Sequence, residues 1–316
     1  MSDASITIKR PRPEQGDLRR HGEHASVLPD LLQTLGLDVG RQAIIRRDDA
    51  RFALYTLTDA GSELSVNTVR MGLDGRDRIG GAEEEQFGGF LDSVVVDPAA
   101  TEQQARDGQK LLELLDDDGH PRDLLVLAPH GGEIEPHTDD QAEHVRDLLA
   151  DLGVSCWRCK GWKPGGGAGA RWHITSTDIS TASFPRLATI ADRGFRYAVS
   201  FHGFTEEDEE EGRPDILIGG AAPDALKRMM RAVIAYAVTG TGLSVEIASI
   251  GDPLDGADEA NIVNRLTTDR RNGIQIEQQP QARSGTIPGS YLPRWEAIAT
   301  AVADVYRVIL TSSAIL

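Results

Sequence analysis

The chain is poor in cysteine, lysine and aromatic residues, and these shortages exclude several classes of protein. Its 316 residues include two cysteines, five lysines and 5% aromatic residues. No apolar run approaches the ~18 residues that can span a bilayer, and the first residues lack the basic and apolar regions of a secretory signal. We therefore expect no membrane partner and a cytoplasmic location.

The two cysteines, Cys156 and Cys159, form a single C-x-x-C pair. A structural zinc site would need a second pair or nearby histidines, and a thioredoxin-like motif would open a helix. The surrounding sequence, Val154-Ser-Cys-Trp-Arg-Cys, is typical of a strand instead. We predict two reduced, partly buried thiols.

Basic charge is also scarce. The formal net charge is -17, from 33 Lys and Arg against 50 Asp and Glu. Nucleic-acid binding requires a basic surface, so we expect no nucleic-acid partner. An acidic surface also repels anions, so a site for an anionic substrate would need a local lining of arginine.

Residues 1–100 contain short, closely spaced strand patterns, which predict a small β-rich, barrel-like module. We expect a ragged polar leader at 1–24, a short helix at 27–36 ended by Gly36, and a loop at 79–92. The predicted strands are Gln42–Arg46, Arg51–Leu57, Leu64–Met71 and Ser93–Val96. No residue of this module indicates a chemistry.

Residues 101–316 alternate strands with helices, which predicts an α/β domain whose mostly parallel sheet is flanked by helices. Thr101 and Gln104 form a capping box for a helix to about Leu115. The predicted strands are Leu124–Ala128, Val154–Cys159, Arg171–Ser176, Arg196–His202, Asp215–Ile218, Leu243–Ala248 and Gly273–Glu277. The other predicted helices are Thr138–Leu149, Phe184–Arg193, Pro223–Val238 and a C-terminal helix with an apolar stripe of Ile298, Val302, Val305 and Ile309.

Two histidines, His130 and His202, lie just past apolar strands. In open α/β sheets, ligands bind at the carboxyl ends of the strands. A catalytic zinc ion takes three protein ligands of the His and carboxylate type and keeps a position for water. His130, His202 and one glutamate of the turn after His130 would supply that set. Spacing alone does not choose between Glu133 and Glu135.

Six short blocks, in order, resemble the poly-gamma-glutamate hydrolase family, some of whose members are described as phage-related replication proteins. The blocks are Ala128-Pro-His-Gly-Gly-Glu-Ile-Glu-Pro136, His173-Ile-Thr-Ser-Thr177, Val199-Ser-Phe-His-Gly203, Ile218-Gly-Gly220, Asn261-Ile-Val-Asn-Arg265 and Gly273-Ile-Gln-Ile-Glu277. The resemblance covers roughly residues 120–280.

The resemblance implies a zinc-dependent amide hydrolase with a carboxypeptidase-like fold. It implies that the metal ligands are His130, Glu135 and His202. It matches Glu277 to the general base. It also places Arg265 where a guanidinium would bind a substrate carboxylate or the developing oxyanion. His173 and Asn264 are expected to contribute to substrate binding.

The chain departs from the family pattern at Val263, Leu266 and Glu133, and the acidic run Glu206–Glu211 follows His202 closely. If that run borders the site, it would repel a polyglutamate chain. The first expectation is cleavage of gamma-glutamyl bonds. One alternative is an amidase or peptidase acting on small N-acyl amino acids or peptides. The other is a catalytically inactive zinc-binding or partner-binding module.

Overall fold

The computed structural model describes residues 3–59, 65–117, 119, 123–205 and 212–313. Contacts divide the chain into two compact units. The barrel unit is Met1–Leu111 with Trp162–Ala188, and the sheet unit is Leu112–Gly161 with Thr189–Leu316. The sequence-based division at residue 100 assigned 162–188 to the second part, and as a statement about domains it stays a prediction.

The barrel unit is built on a closed six-stranded barrel with the strand order β1-β5-β2-β4-β3-β6. Its strands are β1 Asp3–Lys9, β2 His24–Val27, β3 Gln42–Arg46, β4 Phe52–Asp59, β5 Thr68–Arg70 and β6 Gln86–Asp92. Its helices are α1 Pro29–Leu35, α2 Leu73–Asp77, α3 Glu102–Asp107, α5 Ala168–Trp172 and α6 Pro185–Ala188. The interior is apolar and includes Ile8, Val27, Ile45, Tyr55 and Leu91.

Two barrel strands replace segments that the sequence predicted to be irregular. The expected leader contains β1, which pairs with β5 and β6. Its inward residues, Ile6 and Ile8, alternate with polar ones, so a short alternation was hidden in polar sequence. The expected loop at 79–92 contains β6. Its Gly89 lies where an added Cβ would be 2.7 Å from the Arg46 carbonyl oxygen.

The helix expected from Thr101 to about Leu115 is too long. The capping box of Thr101 and Gln104 is present, but α3 ends at Asp107. Gly108 then caps the helix, and Gln109 adopts a positive φ of 50°. Leu112–Asp116 forms strand β7, which pairs with another strand of the sheet unit.

The sheet unit contains a seven-stranded mixed sheet with the order β12-β11-β13-β10-β8-β9-β7. Its strands are β7 Leu112–Asp116, β8 Leu124–Gly132, β9 Ser155–Gly161, β10 Tyr197–Gly203, β11 Ile216–Gly219, β12 Val245–Ile247 and β13 Gly273–Gln278. Its helices are α4 Thr138–Leu148, α7 Asp224–Ala237, α8 Ile262–Arg265, α9 Pro280–Arg283 and α10 Arg294–Ser313. The central strands β9, β8, β10 and β13 run parallel, whereas β7 and β11 are antiparallel to their inner neighbours.

Helices α4, α7 and α10 pack on one face of this sheet. Alternate strand residues such as Val126, Val199 and Ile276 meet them in one buried cluster, which also holds the predicted stripe of α10. Because side chains alternate between the faces of a strand, Ser200, His202, Gln275 and Glu277 project from the opposite face. The sheet therefore separates its helix-packed core from its polar residues.

Two predictions about residues 162–193 are wrong. The expected strand Arg171–Ser176 is helical as far as Trp172, the end of α5. The expected helix Phe184–Arg193 contains only the single turn of α6. Both segments contain buried residues such as Trp172 and Phe184, so their apolar character reflects burial rather than regular structure. Among the described residues, no helix combines the length and apolar character needed to cross a bilayer.

Candidate metal centre and active site

The turn after β8 brings His130 and Glu135 together. The pairing of β8 with β9 shifts register between Ala128 and Gly131. An added Cβ at Gly131 would lie 2.6 Å from the Cβ of Asp139, so only glycine allows this approach. The chain then folds back, and the Glu135 amide donates to the His130 carbonyl oxygen at 2.8 Å.

A buried ion pair anchors the same turn. Asp139 lies in the first turn of α4 and accepts a hydrogen bond from the Gly132 amide at 3.0 Å. Its other carboxylate oxygen lies 2.7 Å from Lys160 Nζ, and both side chains are less than a tenth exposed. Removing one partner would leave a buried charge uncompensated. The pair therefore fixes the path of the chain between His130 and α4.

His130, Glu135 and His202 converge in three dimensions. His130 Nδ1 lies 2.9 Å from Glu135 Oε1 and 3.2 Å from His202 Nδ1. His202 Nδ1 lies 3.7 Å from Glu135 Oε2, which also accepts a hydrogen bond from the Gly203 amide at 2.9 Å. All three side chains are buried. Glu133, on the same turn, is exposed.

These distances fit a small tetrahedral cation. Zinc bound at about 2.0–2.1 Å sets neighbouring ligand atoms about 3.3 Å apart. The two histidine nitrogens are 3.2 Å apart, His130 Nδ1 lies 2.9 Å from Glu135 Oε1, and His202 Nδ1 lies 3.7 Å from the other oxygen, Oε2, so each contact is within about 0.4 Å of that value. Two imidazole nitrogens and a carboxylate that face each other are also the donor set that zinc prefers. The residues present therefore fit the ion.

Ser200 orients the His202 ring. Its Oγ lies 2.7 Å from His202 Nε2. When Nε2 carries the proton and donates to this oxygen, Nδ1 is deprotonated and points at His130 and Glu135. Hydrogen bonds of this kind select the ligand tautomer in metal sites.

Glu277 lies beside His202 on the neighbouring strand, since the two residues are register partners in β13 and β10. Its side chain is buried, and its Oε1 accepts a hydrogen bond from Gln275 Nε2 at 2.8 Å. The predicted general base therefore lies at the same edge of the sheet as the three clustered residues.

Sequence reasoning missed Arg283, at the end of α9. Its Nη1 donates to the Pro136 carbonyl oxygen, and its Nε donates to the Gln278 carbonyl oxygen at 3.4 Å. Burial lowers the pKa of this guanidinium below its ordinary value, although the charges of Glu135 and Glu277 oppose the shift. The available signal was a proline-initiated turn directly after the strand that carries Glu277.

Arg265 and Asn264 lie in α8, which packs against β10 and β13. Arg265 is partly exposed at the end of this helix. Asn264 is fully buried, and its amide nitrogen donates to the carbonyl oxygens of Gly256 and Asp258. Its oxygen accepts from the Ala221 amide. The observed contacts of Asn264 are therefore structural, and its substrate contact stays a prediction.

His173 belongs to the barrel unit, where its Nδ1 bonds the carboxylate of Glu23. Burial works to raise the pKa of Glu23, but the charge and hydrogen bond of His173 prevail and lower that pKa to about 2. The role of His173 in substrate binding stays a prediction. The acidic run Glu206–Glu211 lies outside the described residues.

Comparison with known proteins finds one family model, described as poly-gamma-glutamate hydrolase, that matches residues 106–287. This range holds every clustered residue named above. Two curated relatives come from Bacillus subtilis strain 168. The SPbeta prophage-derived protein YoqZ is 29% identical over 162 residues, and YndL is 30% identical over 154 residues. The chain spans about half the length of these relatives.

Two solved structures also match part of this chain. A bacteriophage poly-gamma-glutamate hydrolase is 22% identical with a TM-score of 0.46, and the match covers 63% of this chain and 90% of that one. A structure described as zinc-free apo YndL is 21% identical with a TM-score of 0.47, over 68% of this chain and 98% of that one. Because the family model spans more than half of its residues, the chain belongs to the poly-gamma-glutamate hydrolase family.

Proposed function

We propose that this protein is a zinc-dependent amide hydrolase that cleaves gamma-glutamyl bonds. The observation that carries the proposal is the convergence of His130, Glu135 and His202 at the carboxyl ends of β8 and β10. Membership of a family of hydrolases supports the reaction class. The donor set favours zinc among common cations, because magnesium and calcium prefer oxygen ligands.

In this proposal, His130, Glu135 and His202 hold the ion. When bound, zinc would lower the pKa of a water molecule and polarise the scissile carbonyl. Asp139 with Lys160 would keep the Glu135 turn in place, and Ser200 would keep His202 Nδ1 available for binding. This division of labour explains why polar residues outside the ligand set are buried around it.

Glu277 would act as general base and then as general acid. Its carboxylate takes a proton from the attacking water and delivers it to the leaving nitrogen, so that the C–N bond breaks to an amine. Its position beside His202 in the sheet supports this role. Replacement by glutamine removes the proton acceptor and should lower kcat by about 10²- to 10⁴-fold.

Arginine would bind the anionic part of the substrate. A net charge of -17 makes a local cation necessary for a substrate rich in carboxylates. Arg265 is the arginine implied by the family resemblance. Arg283 has a specific observation in its favour, since its guanidinium is held by backbone carbonyl groups next to Glu135 and Glu277.

A matched pair of variants on one turn tests the metal assignment. Glu135→Gln should abolish stoichiometric zinc and activity, whereas Glu133→Gln, at an exposed position, should keep both. Zinc content is measured by elemental analysis of protein purified without added chelator. Equal zinc in the two variants would contradict the ligand set.

A substrate panel tests the reaction. Synthetic gamma-linked and alpha-linked glutamyl oligomers and small N-acyl amino acids are compared at equal concentrations. Preferential cleavage of the gamma-linked oligomer is expected. Turnover of only the small amides would favour an amidase of the same layout, and zinc binding without any turnover would favour an inactive module. Val263 and Leu266, which suggested inactivity, are both buried in the core.

A further inference from the structure

Two functional residues of the sheet are each contacted by the side chain two positions earlier in the same strand. Ser200 contacts His202 in β10, and Gln275 contacts Glu277 in β13. Because residues two apart share a face, each earlier side chain lies directly below the later one. Ser200 and Gln275 are themselves register partners, as are His202 and Glu277. The sheet thus carries a supporting row beneath a functional row.

The orientation of Gln275 is determined by Asn261, a residue in the loop before α8. Asn261 Oδ1 accepts a hydrogen bond from the Val263 amide at 3.1 Å and caps that helix. Its Nδ2 therefore faces Gln275, whose Oε1 it contacts at 2.7 Å. With its oxygen so occupied, Gln275 must turn its NH₂ group toward Glu277, which it meets at 2.8 Å. A backbone amide thus sets the direction of the whole chain of bonds.

Packing restrains the chain of hydrogen bonds from Asn261 through Gln275 to Glu277, which we call the relay. Asn261, Gln275 and Glu277 are all buried, with 4–5% of their surfaces exposed. Gly256 lies against Gln275, and an added Cβ there would approach Gln275 Cδ to 2.7 Å. A side chain enclosed on this side cannot exchange rotamers freely, and a buried amide with both ends bonded has one favourable orientation.

We propose that Gln275 and Asn261 are positioning residues that hold the Glu277 carboxylate in one orientation for proton transfer. The inference rests on the proposed function, because it takes Glu277 as the base. It assigns the two amides no contact with substrate or metal. Their loss should therefore lower kcat while KM and zinc binding change little.

Two substitutions test this role. Gln275→Met keeps the volume and removes the donor, and kcat should fall about 10- to 100-fold, as for other supporting hydrogen bonds in active sites. Asn261→Asp keeps the helix cap but presents a carboxylate oxygen to Gln275. The glutamine should then turn over and present its own oxygen to Glu277, so the loss of kcat should be at least as large.

The double variant separates positioning from general destabilisation. Once Gln275 is methionine, Asn261→Asp has no amide left to reorient, so its further effect on kcat should be under threefold. Additive losses would overturn the inference, since coupling is the signature of a relay. Unchanged kcat in either single variant would overturn it as well.

Three controls accompany the cycle. Thr267 lies in the segment between α8 and β13, and its hydroxyl donates a buried hydrogen bond to the Asn264 carbonyl oxygen. Thr267→Val removes this bond and should lower thermal stability without changing kcat. Zinc-induced thermal shifts should be equal in wild type and all variants. Glu277→Gln defines the floor of activity on the gamma-linked oligomer. If wild type itself does not exceed that floor, the proposed function fails, whereas a Gln275→Met variant as active as wild type defeats only the inference.

Discussion

The barrel unit and the sheet unit both contain contacts between histidine and carboxylate, but the two contacts compared in the barrel unit are partly exposed, whereas those of His130 and His202 in the sheet unit are buried. In the barrel unit, His24 lies 2.7 Å from Asp178, and His173 bonds Glu23. Each contact joins one imidazole to one carboxylate. In the sheet unit, His130 and His202 meet each other as well as Glu135. Two imidazole nitrogens and a carboxylate that face each other can all coordinate the same cation.

The two architectures explain this difference. Closing a barrel directs alternate side chains inward, where they fill the interior as a packed core. An open sheet with parallel central strands leaves their carboxyl ends free to collect polar residues from distant parts of the chain. Among the described residues, the buried charged side chains of the barrel unit are Arg76 and Arg171. The sheet unit buries many more charged or titratable side chains, including His130, His202, Glu135 and Glu277.

The largest effect is expected from removing a histidine of the sheet unit. Removing a histidine of the barrel unit is the matched comparison. His202→Ala should abolish zinc binding and lower kcat about 10³-fold or more, because metal chemistry supplies several kcal/mol of transition-state stabilisation. His24→Ala should cost about 1 kcal/mol of folding stability through a lost hydrogen bond and leave zinc content unchanged. Elemental analysis and urea unfolding measure the two effects. Zinc loss in His24→Ala would break the comparison.

A smaller effect should follow from Arg283→Met. The substitution keeps much of the packing and removes the cation beside Glu135 and Glu277. We expect kcat/KM on the gamma-linked oligomer to fall about 10²-fold, as when one oxyanion donor is lost. Arg265→Met is the matched variant, and steady-state kinetics on both identify the arginine that binds the anion. Wild-type kinetics in Arg283→Met would limit that residue to a structural role.

The carboxylate of Glu23, which pairs with His173 in the barrel unit, should stabilise the fold in a pH-dependent way. The pKa of Glu23 is about 2 in the fold and 4.5 for an ordinary glutamate. Its contribution is therefore complete above pH 4.5 and is lost as the pH falls toward 2. Glu23→Gln should lower the free energy of unfolding by about 2 kcal/mol at pH 7, and the deficit should shrink by pH 3. A deficit independent of pH would show that packing, not charge, is responsible.

The smallest effect concerns the cysteines. Burial raises the pKa of Cys156 to about 12 and the pKa of Cys159 well above its ordinary value. Neither thiol should react with a disulfide reagent at pH 8 in the folded protein, and both should react in urea. Fast labelling in the folded state would show that the sheet unit opens at β9.

Much of the sheet could be predicted from the sequence because several of its strands are apolar runs that are recognisable from local sequence alone. Leu124–Ala128 is a continuous apolar run, as expected for a central strand covered on both faces. Mistakes arose where tertiary contacts override local pattern. Residues 112–116 form a strand because β9 offers them a partner, and residues 3–9 form one because the barrel buries Ile6 and Ile8. Such partners lie far away along the chain.

Some residues of the candidate site could likewise be predicted from the sequence, and others could not. Glycine after His130 and the placement of His202 at a strand end were visible in the sequence, and the family blocks pointed to Glu135 rather than Glu133. Arg283 was not identified, because the proline-initiated turn that carries it does not reveal that its guanidinium donates to the Pro136 carbonyl oxygen near Glu135. Gln275 looked like an ordinary strand residue until its bonds to Asn261 and Glu277 were seen.

By itself, the sequence determined the composition of the site, the alternation of strands and helices, and the order in which the candidate residues occur. Those properties depend on local chemistry, which residue identity and spacing carry directly. Only the tertiary structure decided that the nitrogens of His130 and His202 lie 3.2 Å apart, although 72 residues separate them in the chain. That proximity arises from parallel strand pairing and the register of β8 with β10, which no local pattern encodes.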